Sequence, residues 1–83
     1  MENTDFTVMR DGGSIFLVTP VSPDAKEWMK NNISEDATYL GDSVGVEHQF
    51  IHGVTIGMIE SGLVGTMNGR KLAVSSESDI VFA

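Results

Sequence analysis

The residues best suited to bind a metal lie in one short stretch, Glu47-His48-Gln49-Phe50-Ile51-His52. On a helix, His48 and His52 would lie one turn apart on one face, where two imidazoles can share a metal ion. The stretch is not an H-E-x-x-H motif, because Glu47 precedes the first histidine, and no third ligand is evident. If the helix begins at Gln49, His48 falls outside it. We therefore predict no metal site and no cofactor, with a small metal-dependent enzyme using Glu47, His48 and His52 as the alternative.

The sequence offers no other catalytic arrangement. It has no cysteine, which excludes a thiol nucleophile, a disulfide and a thiolate zinc site. No serine lies in a G-x-S-x-G motif, and neither glycine-rich phosphate motif is present. Glu35 and Asp36 are neighbours in a polar segment, and we interpret them as a solvated turn rather than an acid/base pair. We predict that the chain is not an enzyme.

The first two strands follow from the spacing of apolar residues. Residues 6–10 alternate between apolar and polar side chains, which indicates a half-buried strand. Asp11-Gly12-Gly13 supplies the positive φ angles of a tight hairpin. Residues 14–19 are then the second strand, and their continuous apolar character favours a central strand or one covered on both faces.

Two helices are predicted further along the chain. Ser22 is a good N-cap with Pro23 at the first helical position, and the apolar stripe of this helix consists of Ala25, Trp28, Met29 and Ile33. The second helix covers residues 49–61 and ends before Gly62, with an apolar face of Phe50, Ile51, Val54, Met58 and Ile59. Gly53 and Gly57 lie on one side of it, where a strand could pack closely.

The remaining strands complete a small sheet. Residues 39–47 are predicted as a third strand, in which Gly41 and Gly45 indicate a bend or bulge. Asn68-Gly69 predicts a hairpin between residues 63–67 and 70–74. Residues 80–82 form either a last short strand or an exposed apolar tail, and we favour the strand.

These elements predict one α+β domain over residues 1–83, in the order β-β-α-β-α-β-β. The sheet is mixed or antiparallel, with two helices packed on one face. Residues 75–83 are a C-terminal tail or a last short strand.

Charge and hydropathy limit the class of partner. Twelve acidic and five basic residues give a net charge of −7, which disfavours direct nucleic-acid binding and could attract a basic protein surface. The longest apolar run is far too short to span a membrane, and the N-terminus does not resemble a signal peptide. We therefore expect a soluble, cytoplasmic protein.

Three segments resemble a group of short uncharacterised proteins from phage and prophage genomes of Gram-negative bacteria. They are residues 14–28 (SIFLVTPVSPDAKEW), 44–51 (VGVEHQFI) and 57–63 (GMIESGL). The matching positions are a helix cap, core positions and a strand-to-helix junction. The resemblance implies a phage or prophage setting inside a host cell, and it implies no catalytic residue.

Our expectation is a non-enzymatic phage or prophage accessory protein that binds a host or phage protein. An inhibitor of host defence, of the anti-CRISPR or anti-restriction type, is the alternative within this class. A homodimer is also compatible with so small a core. The candidate interaction residues are Trp28 and the apolar residues of the last segment, Ile80, Val81 and Phe82.

Overall fold

The computed structural model describes residues 4–10, 12–33 and 37–83, and these ranges contain two helices and seven strands. The strands are β1 (Phe6–Arg10), β2 (Ile15–Pro20), β3 (Thr38–Leu40), β4 (Ser43–Glu47), β5 (Gly65–Met67), β6 (Arg70–Val74) and β7 (Ile80–Phe82), and the helices are α1 (Pro23–Asn32) and α2 (His48–Glu60). They form one mixed sheet in the order β3-β4-β2-β1-β5-β6-β7. The predicted α+β fold is confirmed. The predictions for Asp11, Glu35 and Asp36 fall outside the described residues.

The hairpin of β1 and β2 forms as predicted. The two strands pair antiparallel, with Phe6 opposite Pro20 and Arg10 opposite Phe16, and Gly12 in the turn has a φ of +65°. Because β2 also pairs with β4, it lies inside the sheet.

The prediction of one strand over residues 39–47 is wrong. The segment forms a second hairpin, in which β3 and β4 pair antiparallel on either side of Gly41 and Asp42. Gly41 has a φ of +63°, a conformation that costs a residue with a side chain about 1 kcal/mol or more. The glycine therefore reverses the chain instead of bending one strand.

The C-terminal half returns the chain to the centre of the sheet. β5 pairs with β1 in parallel, and this is the one parallel pair among the described strands. β5 and β6 form the predicted hairpin, since Asn68 and Gly69 both have positive φ angles of 54° and 77°, which a type I′ turn requires. Residues 80–82 form β7, which pairs antiparallel with β6 and lies at the edge of the sheet.

Helix α1 begins where its cap predicts. The Ser22 hydroxyl accepts a hydrogen bond from the Ala25 N–H at 3.1 Å, with Pro23 at the start of the helix. Ala25 and Met29 are buried, while Trp28 and Ile33 pack against the core at its edge. The predicted apolar stripe is confirmed.

Helix α2 packs beside α1 on the same face of the sheet. Gly57 lies against the Trp28 indole, where an added Cβ would be 3.0 Å from the ring, and an added Cβ at Gly53 would meet nothing within 4 Å. The prediction that these two glycines admit a strand is therefore wrong, because Gly57 admits a tryptophan from α1. Phe50, predicted in the apolar face, is 58% exposed. No helix in the described ranges is long and apolar enough to cross a membrane.

One layer of side chains between the sheet and the helices forms the core. Its buried members are Phe6, Val8, Val18, Ala25, Met29, Val44, Val46, Met58, Leu63 and Leu72. Phe6 is fully buried and its ring lies directly over Gly65, the residue opposite it on β5.

Asp5 joins three parts of the fold. Its carboxylate accepts a hydrogen bond from the Val64 N–H at 2.7 Å, and its carbonyl accepts from Val21 and Ser22. The hydrogen bond from Val64 and a second one from the Ser22 side chain hold the pKa of Asp5 below its ordinary value, against a smaller opposing effect of burial. The carboxylate thus ties the start of β1 to β5 and to the cap of α1.

Candidate functional site

The face of the sheet opposite the helices is a surface on which none of the described segments packs. Side chains alternate between the two faces of a strand, so the register assigns every second strand residue to this side. The fourteen positions are Thr7, Met9, Ile15, Leu17, Thr19, Thr38, Leu40, Ser43, Gly45, Glu47, Thr66, Lys71, Ala73 and Val81. We call this surface the open face.

Three of the six exposed side chains on the open face are apolar, and the other three are Thr38, Glu47 and Lys71. Met9 is 58% exposed, Leu40 54% and Val81 42%. Ile15 and Leu17 are half-buried, and Ile15 covers Gly45 of the neighbouring strand with its Cγ2 atom 3.5 Å from the position of a Cβ. Met9 lies opposite Leu17, next to Ile15, so these three form one apolar cluster, while Leu40 and Val81 lie on the two edge strands. An exposed apolar cluster is a feature of protein-binding sites.

Two of the fourteen open-face positions are charged, Glu47 and Lys71, against seventeen of the eighty-three residues in the whole chain. Both lie away from the middle of the face, at the end of β4 and near the start of β6. The middle of the face, where Met9 lies opposite Leu17, is uncharged, as the centre of a protein interface usually is.

A row of hydroxyl groups crosses the open face from strand to strand. The register aligns Ser43, Thr19, Thr7 and Thr66 on four neighbouring strands, β4, β2, β1 and β5. The Thr19 and Ser43 hydroxyls are hydrogen-bonded to each other. Such a row stabilises the sheet through cross-strand contacts and also offers donors and acceptors to a bound partner.

Acidic groups lie at the margin of the open face. Glu47 is exposed at the end of β4, and Asp42 is exposed in the turn between β3 and β4. Since the net charge of the chain is −7, the surroundings of this surface favour a positively charged partner.

The structure places the predicted interaction residue Trp28 on the other side of the sheet. Its indole N–H donates to the Ser61 hydroxyl at 3.0 Å, and that hydroxyl donates to the Gly57 carbonyl at 2.8 Å. The ring packs against Gly57. These contacts join α1 to α2, so the observed role of Trp28 lies within the helix layer.

The other three predicted interaction residues are divided between the two faces. Ile80 packs against the core at its edge, and Val81 belongs to the open face. Phe82 points to the helix side, where its ring centroid lies 4.1 Å from the Arg70 guanidinium carbon, a cation–π distance.

The histidine pair lies on one face of α2. The helix begins at His48, so His48 and His52 are one turn apart, and both are exposed. Among residues 4–10, 12–33 and 37–83, no group of three His, Cys, Asp or Glu side chains is arranged to hold a metal ion. The histidine pair offers two of the three or four protein ligands that a metal site uses.

A groove on the helix side is the second candidate surface. It has a volume of about 500 Å³ and lies between the helices and β4, with Ile33, Val46, Phe50 and Val54 in its lining. Phe50 at this groove is as exposed as Met9 on the open face, which makes the two residues a matched pair for mutagenesis.

Sequence reasoning missed Met9, Ile15, Leu17 and Leu40. The continuous run of residues 15–18 favoured a central strand or one covered on both faces. The strand is central, but only Phe16 and Val18 face the helices. The alternation around Met9 was visible in the sequence, but the sequence does not indicate which side of each strand the helices cover.

Comparison of the chain with protein families, with curated proteins and with solved structures finds no match in any of the three. The resemblance to short phage and prophage proteins remains a prediction.

Proposed function

We propose that this chain is a non-enzymatic protein-binding domain and that its open face docks on another protein. The observation that carries the proposal is a sheet face that none of the described segments covers and on which Met9, Leu40 and Val81 are exposed, with an uncharged middle around Met9 and Leu17. An apolar surface of this kind gains free energy when a partner removes it from water.

The negative net charge of the chain supports a partner with a positively charged surface. A surface with an apolar centre and a border of lysine or arginine would match both the apolar open face and its acidic margin at Asp42 and Glu47. Complementary charge increases the rate of encounter and disfavours acidic competitors. The hydroxyl row would supply hydrogen bonds near the centre of the contact.

The cellular setting of the proposal rests on the sequence resemblance. The resemblance supports a phage or prophage origin, a cytoplasmic location in the host cell, and a host or phage protein as the partner. If the partner is a nuclease or another component of a defence system, the chain is an inhibitor of that system. The acidic character supports a protein rather than a nucleic acid as the ligand.

The test is affinity purification from a bacterial lysate with three forms of the tagged chain. These are the wild type, the variant Met9→Gln/Leu40→Gln, and the control Phe50→Gln on the helix side. All three substitutions are at exposed positions, so we expect folded proteins. The proposal predicts a stoichiometric partner that the wild type and the control retain and the open-face variant loses.

Two results would contradict the proposal. One is a purification that recovers no stoichiometric partner. The other is a partner that Met9→Gln/Leu40→Gln retains and Phe50→Gln loses, which would assign binding to the groove beside α2.

A further inference from the structure

The outer edge of β7 is a second surface with the properties of a binding site. In the described part of the chain β7 pairs with β6 on one side, and no strand pairs with its other side. Val81 and Phe82 are 42% and 43% exposed. An exposed edge of this kind is a template for pairing with another strand.

The hydrogen bonds of the β6–β7 hairpin show which backbone groups face outward. Ser75 N–H donates to the Asp79 carbonyl and Ala83 N–H donates to the Lys71 carbonyl, both at 2.8 Å. In an antiparallel ladder, residues bond alternately to one neighbour and then to the other. Val81 therefore bonds inward to β6, and the N–H and C=O groups of Ile80 and Phe82 point to the open edge.

The two ends of β7 carry opposite charges. Glu77 and Asp79 precede the strand, whereas its last residue lies beside the start of β6, where Arg70 and Lys71 are located. When two such strands pair antiparallel, the acidic end of each meets the basic end of the other. The edge is therefore complementary to a second copy of itself.

The other edge of the sheet lacks this complementarity. In the described residues 37–42, which contain β3, Asp42 is the one charged residue. Antiparallel pairing of two β3 strands would therefore bring no basic residue of this segment opposite Asp42.

We propose that two copies of the chain associate through β7, with the two strands antiparallel and a two-fold axis at Val81. Ile80 of each copy then exchanges two backbone hydrogen bonds with Phe82 of the other, so the contact contains four. An arrangement with a two-fold axis closes on itself and makes a dimer rather than a fibre.

The side chains fit the same arrangement. Asp79 and Lys71 both lie on the side of the sheet that Val81 occupies. Lys71 is one of the open-face positions, and Asp79 lies two residues before Val81. Across the dimer, Asp79 of one copy lies two strands from Lys71 of the other, roughly 10 Å between backbones. Their side chains can meet over Ala83, which has only a methyl group.

Dimerisation through β7 would leave the open face accessible and extend it. The two seven-stranded sheets would join into one, with both open faces on the same side. The proposed partner surface and the proposed dimer contact share Val81 and Lys71. Met9 and Leu40 lie away from β7, so the open-face variant and the β7 variants still test the two proposals separately.

The first test uses two substitutions at Phe82 and measures mass by light scattering over a concentration series. Phe82→Pro removes the N–H group that points to the open edge. It breaks no hydrogen bond to β6, and proline is tolerated at such an edge position. Phe82→Ala also loses the ring but keeps the N–H, so it is the matched control. We expect the wild type to change from 9.0 kDa to twice that mass as concentration rises. Phe82→Pro should dimerise about tenfold or more weakly than Phe82→Ala.

The second test reverses the charges. Asp79→Lys should weaken the dimer, and Asp79→Lys/Lys71→Glu should restore it, because the pair acts between copies. Glu60→Lys, at the exposed end of α2, makes the same change in net charge and should leave the dimer intact.

Three outcomes would overturn the proposal. A wild type that remains monomeric up to millimolar concentration excludes the dimer. A dimer that Phe82→Pro leaves as strong as Phe82→Ala excludes the β7 edge. A double variant no stronger than Asp79→Lys excludes the assigned charge pair. Met9→Gln/Leu40→Gln should dimerise like the wild type, which separates this test from that of the proposed function.

Discussion

Substitution of Gly65 by alanine tests the packing at the centre of the sheet. Gly65 is buried on β5 beneath the ring of Phe6, which is fully buried. An added Cβ would lie 2.6 Å from one ring carbon of Phe6 and 2.8 Å from another, distances that real Cβ atoms almost never show. The ring has little room to move, since Phe6 and Gly65 are paired residues of neighbouring strands.

We expect the one added methyl group to lower the free energy of unfolding by a large amount. Overpacking a core costs about 1–3 kcal/mol, and we expect the upper part of that range because the ring and two backbones must shift together. For a domain of this size, each kcal/mol lowers the melting temperature by roughly 4–8 °C. Gly65→Ala should therefore lower it by about 10 °C or more.

At a second glycine, on α2, substitution by alanine should raise the stability of the fold instead of lowering it. Gly53 lies inside the helix, and a Cβ there would meet nothing within 4 Å. Gly53→Ala should raise the free energy of unfolding by about 0.5–1 kcal/mol, because alanine has the higher helix propensity. The comparison separates the steric effect at Gly65 from a general effect of replacing glycine.

Thermal and urea denaturation followed by circular dichroism measure these changes, and Phe6→Leu completes a double-mutant cycle. If the ring of Phe6 is the obstacle, Gly65→Ala should cost at least about 1 kcal/mol less in the Phe6→Leu background than in the wild type. A Gly65→Ala variant as stable as the wild type would refute the reasoning. So would additive effects of the two substitutions, within about 0.5 kcal/mol.

Substitutions at three further positions test single features of the fold by the same denaturation assays. The lowered pKa of Asp5 stabilises the fold above the ordinary value of 3.8, and this contribution is lost as pH falls through the lower pKa of the folded state. Asp5→Asn should therefore show a shallower loss of stability than the wild type as pH falls below about 4, and an equally steep loss would contradict the assignment. Ser22→Ala removes the cap of α1 and should cost about 1 kcal/mol, whereas Ser22→Thr, which keeps the hydroxyl, should cost less. Gly41→Ala should cost about 1 kcal/mol because of its positive φ, and Gly41→Asn should recover most of that loss.

The local elements could be predicted because their signals lie within a few residues. Ser22-Pro23 specifies the start of α1 through a cap and a fixed φ angle, and Asn68-Gly69 specifies a turn with two positive φ angles. Gly41 carried a signal of the same kind, which predicted a bend where the structure has a full turn.

The arrangement of the elements could not be predicted in the same way. The parallel pairing of β1 with β5 joins residues nearly sixty positions apart, and nothing in either segment specifies its partner. The open face depends on which side of each strand the helices cover. Residues 15–18 are apolar on both sides, so their pattern does not distinguish the covered side from the exposed one.

The central claim is that the open face binds a protein partner, and the most direct measurement is the affinity of the purified partner for the three forms of the chain. Isothermal titration calorimetry should show that Met9→Gln/Leu40→Gln binds at least about tenfold more weakly than the wild type, which corresponds to about 1.4 kcal/mol. Phe50→Gln should bind like the wild type. Equal affinity for all three forms, or a loss confined to Phe50→Gln, would contradict the account.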